Sequence, residues 1–155
     1  RSPLPRHAAY FPSASAATGE STFICPGLLM SESLSRGQHS KVWNYRFDVS
    51  TVEQTAAGLG VPHTFDTPAI FGPYYQGPAV AASLSVQPFT TYNAPIVPIE
   101  MNYYISFVRT LNPNTFRAKD APIWEPFEGK NGQQRLLFEI NGTTMEAVPK
   151  AQQER

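Results

Sequence analysis

The sequence predicts an α/β fold that is incomplete on its own. Residues 42–49 alternate as a β-strand, with Trp43, Tyr45, Phe47 and Val49 on one face and Asn44, Arg46 and Asp48 on the other. Residues 99–111 place Met101, Tyr104, Ile105 and Val108 at helical spacing, which gives an amphipathic helix. The third observation is a shortage: 155 residues with many large aromatics show only one further strand pattern, at residues 135–140. A stable sheet needs more strands than two, and the 15 prolines disfavour additional ones. The chain is therefore expected to be one part of a larger sheet.

Residues 1–19 are expected as a linker and insertion loop: Arg1-Ser2-Pro3-Leu4-Pro5-Arg6 has linker composition, and residues 11–19 are rich in Pro, Ser and Ala. The absence of an initiator Met and of a signal-like apolar segment suggests a processed product or a fragment. Ser21 or Thr22 caps a first helix carrying Phe23, Ile24, Leu28 and Leu29; Pro26 is tolerable only near its first turn, and Gly37 ends the pattern. After the strand, Gly58 to Pro98 lacks stable periodicity and is expected as a long functional loop with room for one short helix. The second helix, residues 99–111, turns Met101, Tyr104, Ile105 and Val108 inward and stops at Asn112-Pro113-Asn114. Gly129-Lys130-Asn131-Gly132 then turns the chain into the apolar strand at 135–140, which Asn141-Gly142 closes.

Composition excludes several function classes. A formal net charge of zero with scattered basic residues does not suit a nucleic-acid binder, and 41% hydrophobic residues do not suit a disordered tail. No apolar run approaches membrane-spanning length. The three histidines and single cysteine show no metal-ligand spacing, so neither His7 in the linker nor His39 before the strand is expected to bind a metal, and no cofactor is implied.

The chemistry concentrates in Gly58-Leu59-Gly60-Val61-Pro62-His63-Thr64-Phe65-Asp66, where glycines and a proline allow the sharp turns that present an imidazole beyond the end of a strand. Taken alone, such a histidine is an ordinary surface residue, because a general base needs a nucleophile to act upon. No Gly-x-Ser-x-Gly elbow occurs here: Ser13, Ser15, Ser33, Ser35, Ser83 and Ser85 lack the strand-elbow-helix setting and are expected as caps and loop hydroxyls. Asp66, three residues after His63, suits a supporting hydrogen bond better than direct orientation of the ring. Phe65, Tyr74 and Tyr75, with Phe71 and Phe89, are candidates to line a substrate pocket, although packing is the expectation for Phe71. Cys25 is open to three readings: a buried small hydrophobe, a reactive thiol, or half of a disulfide. Asn141-Gly142-Thr143 is an N-glycosylation sequon in a turn, which suits a secreted protein.

Read in order, Ser21-Thr22-Phe23-Ile24-Cys25-Pro26, Trp43-Asn44-Tyr45-Arg46-Phe47, Gly60-Val61-Pro62-His63-Thr64-Phe65-Asp66, Ile70-Phe71-Gly72, Leu111-Asn112-Pro113-Asn114, Trp124-Glu125-Pro126-Phe127 and the strand from Leu136 to Ile140 resemble the C-terminal part of type-B carboxylesterases, the cholinesterase and fungal-lipase family. The tone is most similar to secreted fungal members, with Gly19-Glu20 standing where the family has a compact Gly-Asp turn. The resemblance implies the C-terminal portion of an α/β-hydrolase fold, a mixed and mostly parallel sheet flanked by helices, with residues 20–155 as the C-terminal segment of one domain. It also implies a carboxylic-ester hydrolase working through an acyl-serine, active only with an N-terminal polypeptide of the same precursor that carries the serine and the acidic triad member. His63 is then the triad histidine, Asp66 supports it, and Cys25 pairs with a cysteine near the end of the domain. The alternative is a catalytically inactive cholinesterase-like binding or adhesion protein that retains the histidine.

Overall fold

The computed structural model describes residues 7–36, 41–75, 86–129 and 132–153. Its N-terminal arm is helical from Phe11 onward. Helix α1 (Phe11–Gly19) occupies what was expected as an insertion loop: Pro12 falls in the first turn, where its missing N–H costs nothing, and Ala14, Ala16 and Ala17 supply helix propensity. The helix runs through a π-helical turn (Glu20–Ile24) into α2 (Cys25–Arg36). Helix start signals at Ser21 and Thr22 are thus overridden by continuity. The π turn also accounts for Pro26. The Cys25 N–H reaches back to the Glu20 carbonyl, and this wider turn admits a proline ring that would collide with the carbonyl four residues earlier in a regular helix. Glu32 and Arg36 pair one turn apart at the end of α2, and the expected stop at Gly37 lies outside the described residues.

The sheet is mixed, as expected. Strand β1 (Tyr45–Phe47), shorter than its alternating pattern, runs parallel to β3 (Gly132–Glu139), with Tyr45 opposite Leu136 and Phe47 opposite Phe138. Hydrogen bonds from Leu136 N–H to Asn44 O (2.9 Å) and from Asp48 N–H to Phe138 O (2.8 Å) extend this pairing at both ends. β2 (Glu128–Gly129) and β4 (Gly142–Ala147) pair antiparallel with β3. β4 was not expected, because Thr143, Thr144 and Glu146 dilute any apolar alternation. The tight turn expected between Gly129 and Gly132 fits the register in which these two residues pair, although Lys130 and Asn131 lie outside the described residues. Lys150–Gln153 closes the described chain as a short helix.

The core sits on β3, where residues 135–138 are all buried. Phe138 packs edge-on or tilted against Tyr45, Tyr103 and Trp124 at ring-centroid distances of 5.8, 6.1 and 6.3 Å. Trp124 is itself fixed by polar contacts. Its indole N–H donates to Asn44 O (3.0 Å), and its carbonyl accepts the indole N–H of Trp43 (3.0 Å). Asn114 takes the Trp124 N–H on its Oδ1 (2.7 Å) and returns its Nδ2 to the Trp124 carbonyl (2.9 Å), as a neighbouring strand would. The Asn-Pro-Asn stop therefore also binds the segment before β2 to the sheet.

Helix α5 begins at Ile96, after α3 (Val52–Ala57), α4 (Thr67–Phe71) and a 3-10 turn (Gln87–Thr90), and ends at Thr110. Within the stretch expected as a loop, Gly58 to Pro98, the described residues hold α4, the 3-10 turn and the first residues of α5. The inward face of α5 also differs from expectation. Ile96, Glu100, Tyr103 and Ser106 are buried, whereas Ile105 is 42% and Val108 77% exposed. Both faces carry apolar residues, and the choice falls to specific partners: the Tyr103 hydroxyl donates to Pro122 O (2.5 Å), and the Ser106 hydroxyl donates to Asn112 O (2.6 Å) while accepting the Phe116 N–H (2.9 Å).

Candidate active site

The segment that carries His63 is built from its two ends. Upstream, α3 opens with a reciprocal capping box between Thr51 and Gln54 and closes on Gly58, whose φ of 69° lets the Gly58 and Leu59 N–H groups return to the last carbonyls. Gly60, at φ 71°, turns the chain again. Downstream, Phe65 is 4% exposed and packs on Phe89 at 5.1 Å, and α4 follows with Pro68 in its first turn. Between these anchors, Thr64 sits at φ 66°, a left-handed conformation that costs a β-branched residue about 1–2 kcal/mol. Its hydroxyl donates to the His63 carbonyl (2.6 Å). The backbone at His63 is therefore held, with strain, on a short tether.

The imidazole is exposed and stacks on Phe23, with centroids 4.4 Å apart and planes at 26°. Phe23 belongs to the π turn, so the widened helix places this ring against His63. Among the described residues no hydrogen bond reaches the imidazole. The ring borders a cleft of about 850 Å³ that is also lined by Phe23, Tyr45, Arg46, Asp66 and Arg135.

Asp66 occupies the residue before α4, yet its carboxylate does not cap that helix. It accepts the Tyr45 hydroxyl at 2.7 Å instead, joining the His63 segment to β1. Burial, reinforced by Tyr104 and Asp66, pushes the Tyr45 phenol well above its ordinary range, so Tyr45 stays a neutral donor. Tyr104, whose ring lies edge-on to Tyr45 at 6.2 Å, is raised to about 12, mainly by burial. One turn before Tyr104 on α5 is Glu100, which the sequence does not single out. It is fully buried, and burial first and the Asp66 charge second raise its carboxyl from 4.5 to about 9. The signal for it was present: a charged residue on the same helical stripe as Ile96 and Tyr103.

The pocket candidates do not gather at His63. Phe65 and Phe89 point into the core, while Tyr74 and Tyr75 are 74% and 84% exposed; none of the four borders the His63 cleft. Phe71, expected to pack, is 65% exposed. Ser33 and Ser35 donate to carbonyls one helical turn back, and Ser13 and Ser15 lie on the surface of α1, while Ser83, Ser85 and His39 lie outside the described residues. His7 is no loose linker residue: its ring stacks on Phe11 at 4.2 Å, and Nε2 lies 3.1 Å from Ala57 O. Cys25 is partly exposed and unpaired among the described residues, and Asn141 is exposed in the turn between β3 and β4. Among the described residues no cluster of metal-ligating side chains forms, and no helix is long and apolar enough to cross a membrane.

The family model of the carboxylesterases matches residues 5–155. The crystal structure of Aspergillus niger EstA is similar to this chain with a TM-score of 0.85 and 48% sequence identity, over 97% of this chain and 28% of that one. The carboxylesterase EST55 of Geobacillus stearothermophilus, solved at pH 6.2, shares the fold at a TM-score of 0.52 and 22% identity, over 77% of this chain and 22% of that one. No curated protein matches significantly. The chain thus spans less than a third of the length of either solved relative, and its sheet and helices match a fragment of an α/β-hydrolase fold.

Proposed function

Because the chain belongs to the carboxylesterase family, we propose that it is the C-terminal segment of a carboxylic-ester hydrolase and supplies the general base, His63, of a serine-histidine-acid triad. The observation that carries this reading is the open, firmly tethered imidazole of His63 on the rim of a cleft. In the proposed mechanism His63 accepts the proton of a serine hydroxyl as that oxygen attacks the ester carbonyl. The resulting imidazolium then protonates the departing alcohol, and the acyl-serine is hydrolysed by water that His63 deprotonates in turn. Asp66 contributes by holding the His63 segment against Tyr45 and not by touching the reacting atoms.

The serine and the acidic partner of the imidazole are assigned to an N-terminal polypeptide of the same precursor. Two features support this assignment. The imidazole has no hydrogen-bond partner among the described residues, and α5 exposes Ile105, Phe107 and Val108, apolar surface that a further layer of the fold can cover. Secretion, glycosylation at Asn141 and a disulfide from Cys25 belong to the same proposal, supported by the exposed sequon and the partly exposed thiol.

The test is hydrolysis of a p-nitrophenyl ester by the complete protein, alongside labelling with a fluorophosphonate probe. His63→Ala is expected to leave the protein folded and to lower kcat on the order of a million-fold, because triad members act as a unit. Near-normal turnover by the variant would overturn the assignment of His63, and a wild-type protein that neither turns over esters nor takes the label would favour a binding role.

A further inference from the structure

Among the described residues, Glu100 carries the one fully buried carboxyl, and the mechanism above has no use for it. It is 0% exposed, and neither carboxyl oxygen has a hydrogen-bond partner among the described residues. Leaving such a group unpaired typically costs about 1–3 kcal/mol, and more when it is charged. An apolar residue on this stripe of α5 would avoid that cost. The position is also specific. α4 packs on α5, and at their junction Gly72, at φ 83°, lies so close to Met101 that a Cβ would come within 2.8 Å of the Met101 Cε. Asp66 immediately precedes α4, and only Thr64 and Phe65 separate it from His63, one strained and the other locked in the core. Any shift of Asp66 is therefore carried to the imidazole with little slack.

We propose that Glu100, buried and unpaired on the helix that packs against α4, is a positioning residue that allows Asp66 to hold the His63 segment against Tyr45. The ionisable groups around it are Asp66 before α4, Tyr104 on its own helix and, through Asp66, Tyr45 on β1. Both tyrosines are neutral in the working range, so the interaction that matters is between the two carboxyls. Two carboxylates close together repel, and with Glu100 fully buried and Asp66 only partly so, the pair is best accommodated with one proton retained. Burial assigns that proton to Glu100, with its raised value of about 9. Its loss at high pH would place a second negative charge under α4, drive Asp66 away and displace His63.

This inference rests on the proposed hydrolase reading for its kinetic arm, and its test separates the two. In the complete protein, Glu100→Gln keeps the shape and the neutrality of the acid. Its kcat/KM near pH 7 is expected within about threefold of wild type. Above about pH 9 the wild type should lose activity by about tenfold per pH unit, whereas the variant should change by less than about twofold. Thermal unfolding requires no turnover and provides the second arm. A folded-state value raised above the unfolded one stabilises at low pH and is progressively lost as pH rises, so Tm of the wild type should fall relative to Glu100→Gln between about pH 5 and pH 9. Glu100→Met serves the same comparison should the glutamine variant fail to fold. Identical alkaline profiles in wild type and variant, or a Tm difference that does not change with pH, would overturn the proposal. If the wild type hydrolyses no ester, the functional reading fails and the Tm comparison alone decides the role of Glu100.

Discussion

Tyr45→Phe in the complete protein removes the hydroxyl that joins the sheet to the His63 segment. The ring of Tyr45 rests against Trp124, Phe138 and Tyr104 at 6.0, 5.8 and 6.2 Å, and phenylalanine preserves these contacts. What disappears is the hydroxyl donating to Asp66 Oδ2 at 2.7 Å. A hydrogen bond to a charged group contributes about 1.5–3 kcal/mol when its acceptor is left dry. Asp66 is only partly buried, so water replaces some of the interaction and the expected loss is about 1–2 kcal/mol. In unfolding experiments this corresponds to a decrease in Tm of a few degrees. The kinetic consequence follows from the short link to His63. If the lost anchoring free energy appears as a smaller population of correctly placed imidazole, kcat falls by up to about tenfold, 1.4 kcal/mol being one decade, while KM changes little. Thermal unfolding and p-nitrophenyl ester hydrolysis measured on the same preparations check both numbers. A variant with wild-type Tm and wild-type kcat would refute the idea that the Tyr45–Asp66 bond holds the catalytic segment.

Asn114→Ala removes both side-chain bonds to the Trp124 backbone and should cost about 2–3 kcal/mol in denaturant unfolding, whereas Asn112→Ala, which deletes one exposed bond to the Asn114 N–H, should cost less than about 1 kcal/mol. Equal effects would show that Asn114 does not act as a surrogate strand. For Cys25, non-reducing peptide mapping of the complete native protein should find a disulfide to a cysteine beyond Arg155, worth about 2–5 kcal/mol; recovery of Cys25 as a free thiol would rule it out.

Much of the fold was legible because local rules and tertiary demands agree. The alternation of Trp43, Tyr45, Phe47 and Val49 placed one face of β1 correctly against the core, since a strand with period two has only two ways to face. β3 announced itself by the apolar run that a strand buried on both sides requires. Other elements escaped because their signals are contextual. Helix α1 looked like a loop until Pro12 was seen in a first turn, and β4, paired with a buried neighbour on one side, needs few apolar residues of its own. The orientation of α5 was ambiguous for a related reason: with apolar residues on both faces, hydrophobic spacing does not choose, and the hydroxyls of Tyr103 and Ser106 do.

At the candidate site, the sequence by itself singled out His63 and determined the turn chemistry around it, because Gly58, Gly60 and Pro62 leave the backbone few conformations and the ordered motifs leave few families. The tertiary structure alone decided which partners meet there. Tyr45, Asp66 and Glu100 lie far apart in the sequence, and no local preference states that a strand tyrosine will bond a loop aspartate or that a helix glutamate will be buried without a partner. Phe65 and Tyr74 show the same limit. Both are aromatics in one Pro/Gly-rich segment, yet one is locked in the core and the other faces water, because burial depends on what the rest of the chain brings against each ring.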